Sequence, residues 1–163
     1  MGDLDGKTVL VSGVGPGLGY DTVRIALREG ANVVAAARRL DRLKSLCAEL
    51  DPGGARTEPV SCDVTDGASC ARLVEAGVAR FGHLDGIVHV AAYDNLFGGL
   101  EGADLAKWRT VYEVNVFGSM QLVQAALPAL KARGGAIALI GSQSTDLPRL
   151  PQLAYASSKA ALR

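Results

Sequence analysis

The sequence predicts a doubly wound α/β fold, in which a parallel sheet lies between two layers of helices, and three observations carry that prediction. Short β-branched or apolar runs alternate with longer segments of helical period along the chain. Several of the short runs are apolar on both faces, the pattern of strands covered by helices on either side. Gly, Pro or Asp punctuates the junctions, so right-handed crossovers can stack the elements into three layers, αβα.

TVLVS at Thr8–Ser12 reads as the first strand, β-branched or leucine up to its closing serine. A helical period follows over 17–30 (GLGYDTVRIALREG) and stops at Gly30. NVVAAA at Asn32–Ala37 is the second strand, and Leu40–Leu50 carries the apolar spacing of the second helix. TEPVS at Thr57–Ser61 and residues 68–81 repeat the pair, while GIVHVA (86–91) and AIALIG (136–141) supply the fourth and fifth strands. Residues 104–133 are unusually long for one helix. Pro128 is expected to kink or end it, because proline lacks an amide donor and clashes with the preceding turn. No repeat, linker or low-complexity tract interrupts the series, and 163 residues make a single domain, 1–163.

Composition narrows the function. Seventeen Lys and Arg balance seventeen Asp and Glu without a run of like charge. No electrostatic surface for nucleic acid or anionic lipid is therefore expected, and a small molecule is the expected ligand. Cys47, Cys62 and Cys70 lack C-x-x-C spacing, which argues against a disulfide framework and against a metal site. They read as ordinary thiols of a reducing compartment. No stretch approaches the apolar length of a membrane span, and MGDLDGKTVLVSG lacks a basic region followed by a long apolar run. A soluble, cytoplasmic protein is expected.

SGVGPGLG (12–19) directly follows the first strand and opens the first helix. Bare backbone there can approach a pyrophosphate, and a helix N-terminus offers free N–H groups and the positive end of its dipole. The turn, Ser12 and Gly13 through Gly17, Leu18 and Gly19, is thus a candidate dinucleotide cradle. Its spacing is GxxxGxG rather than GxGxxG. A strand-to-helix turn without ligand is the alternative. At the end of the second strand stands AAARR, where an NAD enzyme places a carboxylate for the ribose 2′-hydroxyl. Ala37 repels nothing there, and the planar, permanently charged fork of Arg38 suits a 2′-phosphate, so NADP is expected ahead of NAD. Asp63 in SCDVTD follows the third strand and can accept from the adenine amino group; Asp63 or Asp66 can equally cap the next helix, and spacing leaves both open.

With these residues in view, the chain resembles the short-chain dehydrogenase/reductase family, whose TGxxxGxG turn it matches with Ser12 in place of Thr. NVFGS (115–119), IGS (140–142) and YASSK (155–159) fall in the family's order and near its spacings, over essentially the whole chain. The resemblance implies a Rossmann-like fold, hydride transfer between a nicotinamide cofactor and a carbonyl or alcohol substrate, and a tetrad carried by Asn115, Ser142, Tyr155 and Lys159. It also implies cofactor contacts from Tyr155, Lys159 and Ala91, and assembly as a homodimer or tetramer through the long helix near Asn115 and the last helix.

Each role has its own physics. Four residues apart on a helix, Tyr155 and Lys159 share a face, with Cβ atoms about 5–6 Å apart. A phenol is a sluggish proton donor at neutral pH, and a neighbouring ammonium favours its charged form. Ser142, just after the fifth strand, can hold a substrate oxygen, with Ser144 as competitor. In the family such an Asn holds a water that relays protons to the lysine.

The departures are two. Where the family carries Asn-Asn-Ala-Gly this chain has HVAA (89–92). His89 can replace one hydrogen-bonding Asn between strands, and reads as a satisfied core residue rather than a base or metal ligand. The family also runs on through a sixth and a seventh strand, so the resemblance implies a truncated chain with an exposed fifth-strand edge and no lid over the nicotinamide. A noncatalytic NAD(P)-binding module is the competing reading. Residues 93–102 and 143–152 should line the pocket mouth, with Leu96, Phe97, Leu147 and Leu150 as apolar contacts.

Overall fold

The computed structural model describes residues 2–147 and 151–163. Five strands, β1 (Thr8–Ser12), β2 (Asn32–Ala37), β3 (Thr57–Ser61), β4 (Gly86–His89) and β5 (Ala136–Leu139), form one all-parallel sheet in the order β3-β2-β1-β4-β5. The helices are α1 (Leu18–Arg28), α2 (Leu40–Leu50), α3 (Gly67–Phe81), α4 (Leu105–Tyr112), α5 (Gly118–Arg133) and α6 (Leu153–Ala160).

Alternation along the central strands builds the two halves of the core. Val9 and Val11 of β1, with Val33 and Ala35 of β2, pack against Val23, Ala26 and Leu27 of α1 and Leu43 and Cys47 of α2. Leu10, Val34 and Ala36 face the other way, onto Leu73 and Val74 of α3 and Leu122, Ala126 and Leu130 of α5. Burial on both faces explains why these strands read as continuous apolar runs.

The order reverses between β1 and β4. Ligands of open α/β sheets bind at such a switch point, outside the carboxyl ends of the strands. Here those ends are Ser12 and His89, paired in register.

Three sequence expectations need correction. The fourth and fifth strands stop at His89 and Leu139, two residues early, because the chain bends into the loops that line the site. Residues 104–133 form α4, a single π turn (Glu113–Phe117) and α5 in continuous succession. Pro128 lies within α5, which runs on to Arg133 and closes on left-handed Gly134, so proline does not end it.

β5 is the sheet's outer strand beside β4, with Ala136, Ile137 and Ala138 exposed. The opposite edge is β3, where Pro59 is tolerated because an edge strand can spare one ladder donor.

α3 approaches β2 closely at Gly77, where a Cβ would meet Val34 Cγ2 at 2.6 Å. Gly77→Ala is expected to lower stability by about 1–3 kcal/mol through overpacking, although alanine is the better helix former by about 1 kcal/mol. Urea denaturation of Gly77→Ala, Val34→Ala and the double variant checks this: the double variant should recover much of the loss, and strict additivity would refute the close contact as its cause.

Candidate active site

The glycine turn is anchored before any ligand is considered. Gly13 N and Val14 N donate to Ala36 O of β2, and Val90 N and Ala91 N donate to Ser12 O, so the turn is bonded to both neighbours of β1. Gly13 has φ +81°, and a Cβ on it would lie 2.3 Å from Ala91 N; only glycine fits. Gly19 packs against Gly13 O, where a Cβ would come within 2.4 Å. Gly17 caps α1 with no side chain to bond the first-turn N–H groups; Tyr20 N donates to Gly15 O, which leaves those of Leu18 and Gly19 for a ligand.

The cleft outside this turn measures about 860 Å³ and is lined by Ser12, Gly13, Arg38, Asp63 and Ala91, together with Gly15, Pro16, Arg39 and Arg42. Gly17, Leu18 and Gly19 stand at the head of α1 instead, with Leu18 half-exposed. The two readings of the acidic pair separate cleanly. Asp66 caps α3 by accepting from Ala68 N. Asp63 takes Thr65 N and Thr65 Oγ1 on its Oδ1. Those two bonds, with Arg38 adding its charge, hold the Asp63 carboxyl below the usual carboxylate range.

The reactive end is built from α6, the π turn and the end of β5. Tyr155 and Lys159 share a face of α6, and Lys159 Nζ lies 5.8 Å from the centre of the Tyr155 ring. Lys159 is buried, and its Nζ donates to Ile140 O at 2.7 Å. Burial draws its pKa down, and the Asp94 carboxylate partly restores it.

Asn115 sits in the π turn, a feature often found at functional sites. Its Oδ1 accepts from Tyr93 N at 2.6 Å, and its Nδ2 donates to Tyr93 O at 3.1 Å and Ser158 Oγ at 2.9 Å. Both amide hydrogens are thereby used. The side chain clasps the loop after β4 to α6.

Ser142 lines a second cavity of about 610 Å³ with Lys159, Gly141, Thr145 and Asp146. Its hydroxyl is bonded to the Ser144 hydroxyl at 2.8 Å, so the two candidates form one unit. Tyr155 is half-buried. Gly98 N donates to Pro151 O at 2.8 Å, which brings the two expected mouth loops together. Phe97 and Leu147 are largely exposed there, whereas Leu150 falls outside the described residues. No metal-holding group of three or more His, Cys, Asp or Glu occurs among the described residues. Among them, too, no helix is long and apolar enough to cross a membrane.

His89 differs from its sequence expectation. It is buried, but Nδ1 alone is bonded, to Ser12 Oγ at 2.5 Å, and Nε2 has no partner. Burial, with the Lys159 charge second, pushes its pKa down to about 4. His89 O accepts from Ile140 N, so a chain of bonds runs from Ser12 through His89 and Ile140 to Lys159. Sequence reasoning missed Ile140 and Ser158 as parts of the site and expected Tyr93 only at the pocket mouth. Backbone acceptors leave no residue-type signal, and Ser158 stood unread inside YASSK.

Comparison with known proteins gives consistent results. A family model for short chain dehydrogenase matches residues 7–163. A short chain dehydrogenase of Pseudocercospora fijiensis is 36% identical over 99% of this chain and 53% of its own length. The trans-4-hydroxycyclohexanecarboxylate dehydrogenase of Sinomonas cyclohexanicum is also 36% identical, over 94% of this chain and 61% of its own. The crystal structure of a short chain dehydrogenase from Mycobacterium smegmatis superposes with a TM-score of 0.91 at 31% identity, over 98% of this chain and 66% of that one. The chain thus spans between about half and two thirds of the length of the proteins it matches.

His89 sets a pH dependence whose sign is fixed. An unfolded histidine titrates near pH ~6.5, above the native value of about 4, so the native state binds fewer protons in that interval. Stability from this group is complete above the upper value, falls as pH drops through the interval and levels off below it, for a total of about 3 kcal/mol at most. Urea midpoints of the wild type and His89→Asn, which keeps a group able to bond Ser12, should differ in pH slope there. Equal slopes would refute the assignment.

Proposed function

Because the chain belongs to the short-chain dehydrogenase family, we propose that it is an NADP-dependent oxidoreductase in which Tyr155 exchanges a proton with the oxygen of a carbonyl or alcohol substrate. The observation that carries this reading is the buried Lys159 ammonium, tied to Ile140 O with the Tyr155 ring on its own face of α6. A bound nicotinamide dinucleotide supplies or accepts the hydride.

The residues fit that cofactor. The Gly13 cradle excludes any Cβ, α1 begins without a side-chain cap, and Arg38, Arg39 and Arg42 line the cleft with Asp63 and Asp94. Arg38 grips the 2′-phosphate, and Asp63 Oδ2, left outside the Thr65 turn, accepts from adenine.

Lys159 offsets the negative charge that the phenol acquires as its proton leaves, and its remaining N–H donors would be available to the ribose hydroxyls of a bound nucleotide. Ser142 orients the substrate oxygen, with Ser144 fixing its hydroxyl. Asn115 positions α6 through Ser158. Exposed Phe117 and Met120, on the π turn and α5, support assembly as a homodimer or tetramer, which light scattering reads directly.

A second reading, a nucleotide-binding module without turnover, is favoured by one observation: the Ser142 hydroxyl is already engaged by the Ser144 hydroxyl and accepts from Ser144 N. NADPH oxidation with a panel of small ketones separates the two. The enzyme reading expects turnover that falls by about 10²–10⁴-fold in Tyr155→Phe with NADPH binding retained. Tight binding without turnover in the wild type would establish the module.

The cofactor choice has its own test. Arg38→Ala is expected to weaken NADPH by about 10- to 100-fold, the strength of a charge-assisted contact, and to leave NADH unchanged. Equal losses for both would refute the 2′-phosphate role.

A further inference from the structure

The turn between β3 and α3 holds two of the three cysteines, and the mechanism uses neither. Cys62, directly after β3, and Cys70, in the first turns of α3, are both buried and both free thiols. They belong to the same core cluster, with Val64 between them. The turn folds back on itself there: Asp63 N is bonded to Ser69 Oγ at 3.3 Å, and Cys70 Sγ reaches Val64 O at 3.7 Å. The Asp63–Ser69 bond joins the residue after Cys62 to the residue before Cys70, so the two thiols stand on adjoining arms of one turn. Cys62 also lines the cleft beside Asp63, whereas Cys70 lies behind it in the core. Cys47 packs in the opposite half of the core and can reach neither.

We propose that Cys62 and Cys70 form a reversible disulfide across the β3–α3 turn, with hydrogen peroxide as oxidant entering by the nucleotide cleft. The two sulfurs have unequal roles. Cys62 lines the cleft and Cys70 lies behind it in the core, so Cys62 is the attacking sulfur, and its lowered pKa beside the raised one of Cys70 agrees with that order. The Cys62 thiolate attacks one peroxide oxygen, forming an S–O bond and breaking the O–O bond, which leaves a sulfenic acid and hydroxide. Cys70 sulfur then attacks the sulfenic sulfur. The S–S bond forms, the S–O bond breaks, and the thiol proton leaves with the departing oxygen as water. Two thiols lose two hydrogens and two electrons, and one peroxide becomes two waters. A disulfide draws the sulfurs to about 2.05 Å, closer than any nonbonded contact, and so pulls on the segment that carries Asp63 at the cleft wall.

Trypsin releases both cysteines in one peptide, residues 57–72, since no Lys or Arg intervenes between Arg56 and Arg72. The full chain is treated with hydrogen peroxide, denatured, alkylated and digested. The expected peptide has lost two hydrogens and takes no alkyl group, and dithiothreitol restores two alkylation sites. Cys70→Ala should abolish the loss and leave Cys62 as a sulfenic acid that dimedone traps. A peptide that still takes two alkyl groups would overturn the proposal, on the wild type alone and whether or not the variant folds. Entry through the cleft rests on the cofactor reading above. Saturating NADP, with binding verified on the same sample, should slow oxidation by about tenfold, and equal rates with bound nucleotide would overturn that route. If NADP does not bind, the cofactor reading fails while the disulfide result stands.

Discussion

An ammonium taken out of water is the constraint around which this site is arranged. Lys159 is 2% exposed, and an unpaired buried charge costs several kcal/mol. Its compensation comes from Ile140 O at 2.7 Å, the face of the Tyr155 ring and the more distant Asp94 carboxylate. One firm acceptor for three N–H donors is partial compensation. Burial still draws the lysine's pKa down, which means that an oxygen-rich ligand arriving at Nζ removes a penalty the folded chain already bears. The same charge reaches His89 and helps hold it neutral. Two cations cannot share this interior, and the one with three donors and a carbonyl keeps its proton.

The fold places that lysine by elements whose geometry is dictated elsewhere. β5 must end where it does for Ile140 to turn its carbonyl toward α6, and Ile140 N is fixed by His89 O at the end of β4. α6 is held on its other side by Asn115 through Ser158. The π turn allows this: Gly118 N donates to Glu113 O, five residues back, while Asn115 O is taken by the Ser119 hydroxyl at 2.6 Å. Gly118 is the residue that permits the close approach, since a Cβ there would meet Val64 Cγ2 at 2.7 Å.

The fold was legible because burial on two faces writes itself into composition. TVLVS and NVVAAA announce strands with helices on either side, and β1 and β2 occupy the expected residues. The glycine turn was legible for a related reason, since only the absence of a Cβ lets Gly13 touch Ala91. What stayed hidden depends on partners distant in sequence. Nothing in residues 104–133 marks the extra residue of a π turn, and Pro128 does not mark the helix end, since α5 runs through it to Arg133. Likewise the spacing of Asp63 and Asp66 could not say which would cap α3; that was settled by which carboxylate faces Ala68 N.

His89 shows how the chain absorbs its departure from the family's usual residue at that place. An asparagine between β1 and β4 has donors and an acceptor on one short amide; an imidazole has two nitrogens at opposite edges of a ring. Nδ1 finds Ser12, and Nε2, at the other edge of the ring, is buried without a partner. Such an orphan costs about 1–3 kcal/mol, in a part of the sheet where Leu10 and Val11 of β1 and Ile87 of β4 are also buried. The result is a junction that is rigid because it is closely packed, although its hydrogen bonding is incomplete. A ligand pressing on Ser12 and a substrate pressing on Lys159 therefore act on opposite ends of one fixed chain of bonds, Ser12 to His89 to Ile140 to Lys159. The position of the lysine thus depends on the same two strand ends that position the glycine turn.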